Sequence, residues 1–225
     1  MPIFGMAVGK IVDLRKLLAE RFPQEPLPPV DQLVTGVPVF DHALQGGLTK
    51  GAITEVSNSA PSSGGATLIA ALLQRAWRER YFLALIDGRD SFDPESSAPA
   101  LRNLLWIRCR KTSEAMQAAD LLLRDGNFPL VILDLALNPA VELRKIPSSN
   151  WYRLQRLVEL APTAFLVLTP GRMISSAQWK LTLENRWTLP QLEDEVADLL
   201  MQLQIRVQRA QPNKWSSAEN MARVG

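Results

Sequence analysis

The spacing of hydrophobic and polar positions changes repeatedly along this chain and divides it into elements. Five short stretches, 51–57, 81–87, 104–109, 129–134 and 163–169, are almost continuously apolar. Runs of that length between turn residues read as strands buried on both faces of a sheet. Between them, apolar residues recur three and four apart from Ala66, over 112–123, and through Trp151, Leu154, Leu157, Val158 and Ala161. That spacing predicts helices, with Thr112 capping the second and Ser148, Ser149 or Asn150 the third. Strands alternating with helices from 51 to 169 predict an α/β fold with a mostly parallel central sheet flanked by helices. Strand 53–56 is expected beside strand 131–134. Over 179–189 the pattern becomes strict alternation, as in strands buried on one face only, and these are expected as antiparallel additions at the sheet edge. An acidic helix from Pro190 and a last strand through Leu203, Ile205 and Val207 complete a core domain over 34–210.

The ends of the chain read differently. Within 1–22, Ile11, Leu14, Leu17, Leu18 and Phe22 form one face of an amphipathic helix, which either covers its own domain or docks on a partner. A Pro-rich linker, 23–33, separates it from the core. Residues 211–225 are polar and without period, as in a flexible tail, where Trp215 beside Lys214 is a candidate anchor for a partner.

Composition narrows the function classes only a little. With 225 residues and 47% hydrophobic content the chain can bury one sizeable core, and a net charge of +2 draws it to neither nucleic acid nor anionic lipid as a whole. Asp13 and Arg15 interrupt the apolar start before it could cross a membrane, so a cytoplasmic protein without membrane contact is expected. The single cysteine, Cys109, excludes an internal disulfide and reads as a buried thiol. His42 is the only histidine and has no metal-ligand company, so no metal site is expected.

The chemistry that stands out lies between the first two strands. Strand, small-residue loop, helix and strand is the outline of a phosphate-binding βαβ unit, with the loop running Ser59-Ala60-Pro61-Ser62-Ser63-Gly64-Gly65-Ala66. A working loop of this kind needs a lysine for the β/γ-phosphates and then a hydroxyl for Mg²⁺. Gly65 and Ala66 stand in those two places, and neither has a side chain that can do this.

The order Thr35-Gly36, Asp41, Gly46-Gly47-Leu48, Gly51, Glu55-Val56, Ser62-Ser63-Gly64, Thr67-Leu68, followed by Ile86-Asp87-Gly88-Arg89 and Asp93-Pro94, resembles the RecA recombinase core. The resemblance implies a RecA-like fold over about 34–189. It matches Arg89 to the family's catalytic glutamate, Pro170 to its γ-phosphate-sensing glutamine, and Asp134 to its Walker B aspartate. A guanidinium cannot take a proton from water, and proline offers no side-chain hydrogen bond. The residues themselves allow a second role for Asp134, bonding nearby amides at a strand end. The stretches matching the family's two DNA-binding loops are short. They retain Arg144, Lys145 and Arg172, which with Arg153 and Arg156 could hold phosphates weakly or form a solvated face.

A small RecA-like core with a decayed loop is similar to the ImuA proteins and the related SulA division inhibitors. The ImuA resemblance implies a non-catalytic accessory of SOS-induced translesion synthesis, working without a cofactor through contacts with RecA, ImuB-like or error-prone polymerase components, or with a second copy of itself. A non-hydrolysing nucleotide-binding regulator and a SulA-like inhibitor are the alternatives it leaves.

Overall fold

The computed structural model describes residues 31–60, 62–188, 191 and 196–210. In chain order the elements are β1 (Gln32–Leu33), α1 (Pro38–Ala43), β2 (Leu48–Thr49), β3 (Ala52–Asn58), α2 (Gly65–Arg78), β4 (Leu83–Asp87), a 3₁₀ stretch (Glu95–Asn103) and β5 (Leu104–Arg108). They continue with α3 (Thr112–Asp125), β6 (Leu130–Asp134), α4 (Ala140–Leu143), α5 (Ser148–Glu159), β7 (Ala164–Thr169), β8 (Trp179–Leu183), α6 (Val196–Met201) and β9 (Ile205–Ala210). The main sheet has seven strands in the order β5-β4-β6-β7-β3-β8-β9, while β1 and β2 pair separately. No helix among the described residues is long and apolar enough to cross a membrane.

Alternation along the central strands builds two hydrophobic layers, because successive side chains leave a strand on opposite faces. On one face Val56, Leu85, Ile132 and Leu166 pack with Leu68, Leu72 and Leu73 of α2. On the other, Ile53, Ile86, Leu133 and Val167 pack with Ala115 and Ala119 of α3 and with Trp151, Leu154 and Val158 of α5. Each fully buried aliphatic side chain contributes about 1.5–3 kcal/mol relative to exposure, so these layers are the main source of stability.

The mostly parallel sheet flanked by helices is as expected, with two differences in its order. β3 and β6 are not neighbours; β7 lies between them and pairs in parallel with both. All three strands are buried along nearly their whole length, and a pattern that encodes burial does not encode which buried strand lies beside which. The second difference is at the far side, where β8 joins β3 in parallel and only the β8–β9 pair is antiparallel. The chain between β7 and β8 makes this possible by crossing back to the start of the sheet, where the Gln178 amide donates to the Ile53 carbonyl (2.9 Å).

Two helix caps also differ from expectation. Thr112 is the first helical residue of α3, and the end is held by the Glu114 carboxylate, which accepts the amides of Arg110 (2.9 Å) and Lys111 (3.2 Å). Its hydroxyl instead donates to Glu142 Oε2 (2.9 Å) and accepts from Asn138 Nδ2 (3.0 Å). α5 starts after Pro147 without a side-chain cap, and Ser148 lies inside the helix. α3 stops at Gly126, whose φ of 68° is the left-handed turn that glycine adopts at little cost.

Candidate functional site: the loop between β3 and α2

β3 runs through the middle of the sheet and delivers the chain to a turn at its C-terminal end, from which α2 returns along one face. The Ser59 amide ties the start of the turn to the Leu183 carbonyl (3.1 Å). Ser62 and Gly64 both have positive φ, 59° and 109°. Ser63 is buried between them, and its hydroxyl has no described partner. The Gly64 carbonyl then accepts from Leu68 (2.9 Å), and α2 begins with no acidic residue in its first turn.

Packing closes the two glycine positions. A Cβ on Gly64 would lie 2.7 Å from Leu203 Cδ2 and 3.3 Å from Trp187 Cη2. At Gly65, where the phosphate-binding lysine would stand, a Cβ would lie 3.2 Å from the Asn58 side-chain nitrogen and 3.3 Å from Leu168 Cδ2. Those separations are too tight for a side chain to leave the helix without moving a neighbour. Ala66 is exposed, Ser59 and Ala60 line the turn, and Pro61 lies outside the described residues.

Asp134 ends β6, across β7 from the loop and in register with Asp87 at the end of β4. One of its oxygens accepts the Ala136 amide (3.0 Å). Burial pushes this carboxyl up to about 6; the Ala136 amide opposes the shift and the Asp87 charge adds to it. Asp87 is fully buried and gathers the turn after β4, accepting the amides of Ser91 (3.0 Å) and Phe92 (2.8 Å), among others. Arg89 is exposed on that turn, and Pro170 is exposed just beyond β7.

Sequence reasoning missed Glu55. This carboxylate is completely buried in β3 and accepts the amides of Met173 (2.7 Å) and Ile174 (3.1 Å) and the Thr169 hydroxyl (3.3 Å). It thereby fastens the segment after β7 to the loop's own strand. Burial is the main cause that raises its pKa, opposed by those amides and by Lys180 on β8. The signal was present as one charged residue inside an apolar run.

The other candidates fall into separate places. Arg144 and Lys145 follow α4, and Arg153 and Arg156 lie on α5, all exposed; Arg172 is exposed in the turn after β7. Arg153 is paired with Asp120 of α3 (2.8 Å). Leu14, Leu17, Leu18 and Trp215 lie outside the described residues. Among the described residues no cluster of metal-ligating side chains is present.

Curated proteins share sequence with part of this chain. It is 33% identical over 129 residues to the protein RecA of Acidothermus cellulolyticus, covering 55% of this chain and 37% of that one. Against RecA of Clavibacter michiganensis the identity is 33% over 149 residues, covering 64% and 40%. The core is RecA-like. RecA of Streptomyces avermitilis gives 30% over 129 residues, covering 55% of this chain and 34% of the relative. The chain thus spans only about two fifths or less of the length of these relatives, and no family model matches it.

Proposed function

We propose that this protein is a non-catalytic RecA-like accessory of SOS-induced translesion synthesis, of the ImuA kind, working as a scaffold through protein contacts. The observation that carries the reading is the side-chain inventory around the loop. Phosphoryl transfer depends on positioned charge at several points together, and Gly65, Ala66, Arg89 and Pro170 supply none of the lysine, hydroxyl, base or sensor groups. Close packing of Asn58 and Leu168 on Gly65 supports it further, since that space holds protein where a lysine would be needed. A core kept foldable while its phosphate-handling groups are gone is retained for surface and shape.

Partners on this reading are RecA itself, ImuB-like or error-prone polymerase components, or a second copy of the chain, reached through residues 1–22 or 211–225 or an open sheet edge. DNA contact, if made, is weak and runs through the exposed arginines. The unpartnered Ser63 hydroxyl and the Asp134 carboxylate favour a second reading, a regulator that binds nucleotide without hydrolysing it. Calorimetry with Mg-ATP separates the two, since a saturable isotherm without turnover supports the regulator. The scaffold itself is tested by pull-down of RecA and purified polymerase accessories with the full chain and with versions lacking 1–22 or 211–225. Loss of a partner with one truncation supports contacts through that end. Retention of every partner by both rejects the terminal segments, and capture of a division protein alone replaces the scaffold with a SulA-like inhibitor.

A further inference from the structure

A cleft of about 590 Å³ opens between α3 and α5, on the sheet face opposite α2. Its apolar surface comes from Met116 and Leu121 of α3, Ile146 and Pro147 before α5, and Leu154 of α5. Leu121 stands on its rim, 67% exposed. The cleft follows α3 from Thr112 to Leu121, about 14 Å at 1.5 Å per residue, which matches two to three turns of a helix laid beside it.

Both signs line the cleft, Asp120 and Glu142 against Lys145 and Arg153, and the excess is positive once Arg124 on Asp120 and Arg144 beside Lys145 are counted. Asp120 is paired twice, by Arg124 and by Arg153 (2.8 Å each), and Glu142 accepts the Thr112 hydroxyl while keeping its charge. Lys145 in the wall, Arg144 beside it and Arg156 further along α5 are exposed and make no ion pair with a described residue. These are the cations that the sequence suggested for phosphate. Of the three, Lys145 lines the cleft, whose floor is aliphatic and whose lining holds no aromatic side chain on which a base could stack.

We infer that this cleft is a docking site for an acidic amphipathic helix of a partner protein. Aliphatic residues at three- and four-residue spacing would enter over Met116, Ile146 and Leu154, and flanking carboxylates would meet Lys145 and the neighbouring Arg144. The inference does not depend on a role in mutagenesis, since it concerns only which chemistry this face accepts.

The test is fluorescence anisotropy of the full chain with a labelled helical peptide of about four turns, carrying leucines on one face and glutamates on its flanks. Binding is expected, weakened by added salt. Leu121→Glu and Lys145→Glu, both exposed and therefore neutral to folding, are each expected to lower affinity at least ~10-fold with unchanged thermal unfolding. Arg89→Glu, on the turn after β4, is expected to leave it unchanged. The inference is overturned by absence of binding, by equal binding of a peptide with lysines in place of glutamates, or by indifference to both cleft substitutions. It is also overturned if an oligothymidine strand displaces the peptide and is lost with the same variants, which would make the face a nucleic-acid site.

Discussion

Gly64→Ala asks directly why the loop keeps its glycine when the lysine and hydroxyl that should follow are missing. In a phosphate cradle glycine lets the backbone approach the anion; here the 109° φ and the contact with Leu203 supply a reason within the fold. An L-residue held in the left-handed region costs about 1–2 kcal/mol. The new methyl group also stands 2.7 Å from Leu203 Cδ2 with Trp187 behind it, and overpacking of this kind costs about 1–3 kcal/mol. The sum is about 2–5 kcal/mol, enough to lower a urea midpoint by roughly 1–2.5 M at a slope of about 2 kcal/mol/M. Equilibrium urea unfolding measures it, and Leu203→Ala divides the two parts. In that background the methyl group has room, so Gly64→Ala is expected to cost only the backbone part, about 1–2 kcal/mol. A loss below about 1 kcal/mol, or the same loss in both backgrounds, would refute packing as the reason for this glycine.

Gly65→Lys, which rebuilds the lysine of a working loop, is expected to lower the thermal midpoint and restore no ATP turnover, because the Asn58 and Leu168 side chains already fill that approach. Asp134→Asn is expected to raise stability at pH 7 by about 1–2 kcal/mol in urea unfolding. The folded pKa of Asp134, about 6, lies above its ordinary value of 3.8, so its neutral form contributes stability that is full below the unfolded pKa and lost as pH rises through about 6. The variant should flatten that part of the pH profile. For Glu55, Glu55→Ala strands the Met173 and Ile174 amides and is expected to cost about 1–3 kcal/mol, whereas Glu55→Gln keeps an acceptor and costs less. Equal losses for Ala and Gln would remove that tether from the picture.

Legibility in the sequence followed what each signal physically encodes. Runs such as 129–134 and 163–169 announced β6 and β7, because burial on both faces leaves no room for polar side chains. Burial alone hid the insertion of β7 between β3 and β6, since equally buried strands carry no label of their neighbours. Alternation over 179–183 showed a strand but not its direction, which depends on how the chain crosses from Thr169 back to Trp179. The proposal that Gly65 and Ala66 stand in the lysine and hydroxyl places rests on sequence alone, because that loop has fixed spacing. What packs on Gly64 and Gly65 was not legible there, because Leu203 and Trp187 on the first and Asn58 and Leu168 on the second converge from four different parts of the chain. The cations at Arg144, Lys145, Arg153 and Arg156 were visible, yet the far side of the cleft that Lys145 and Arg153 line, Met116 and Leu121, comes from α3, distant in sequence.

Steady-state phosphate release from Mg-ATP by the full chain, with and without single-stranded DNA, tests the proposed loss of chemistry most directly. No turnover above that of Gly64→Asp is expected under either condition, because no side chain at Gly65, Ala66, Arg89 or Pro170 can hold, activate or sense the phosphate. Turnover in the wild-type chain that Gly64→Asp abolishes would contradict the non-catalytic reading.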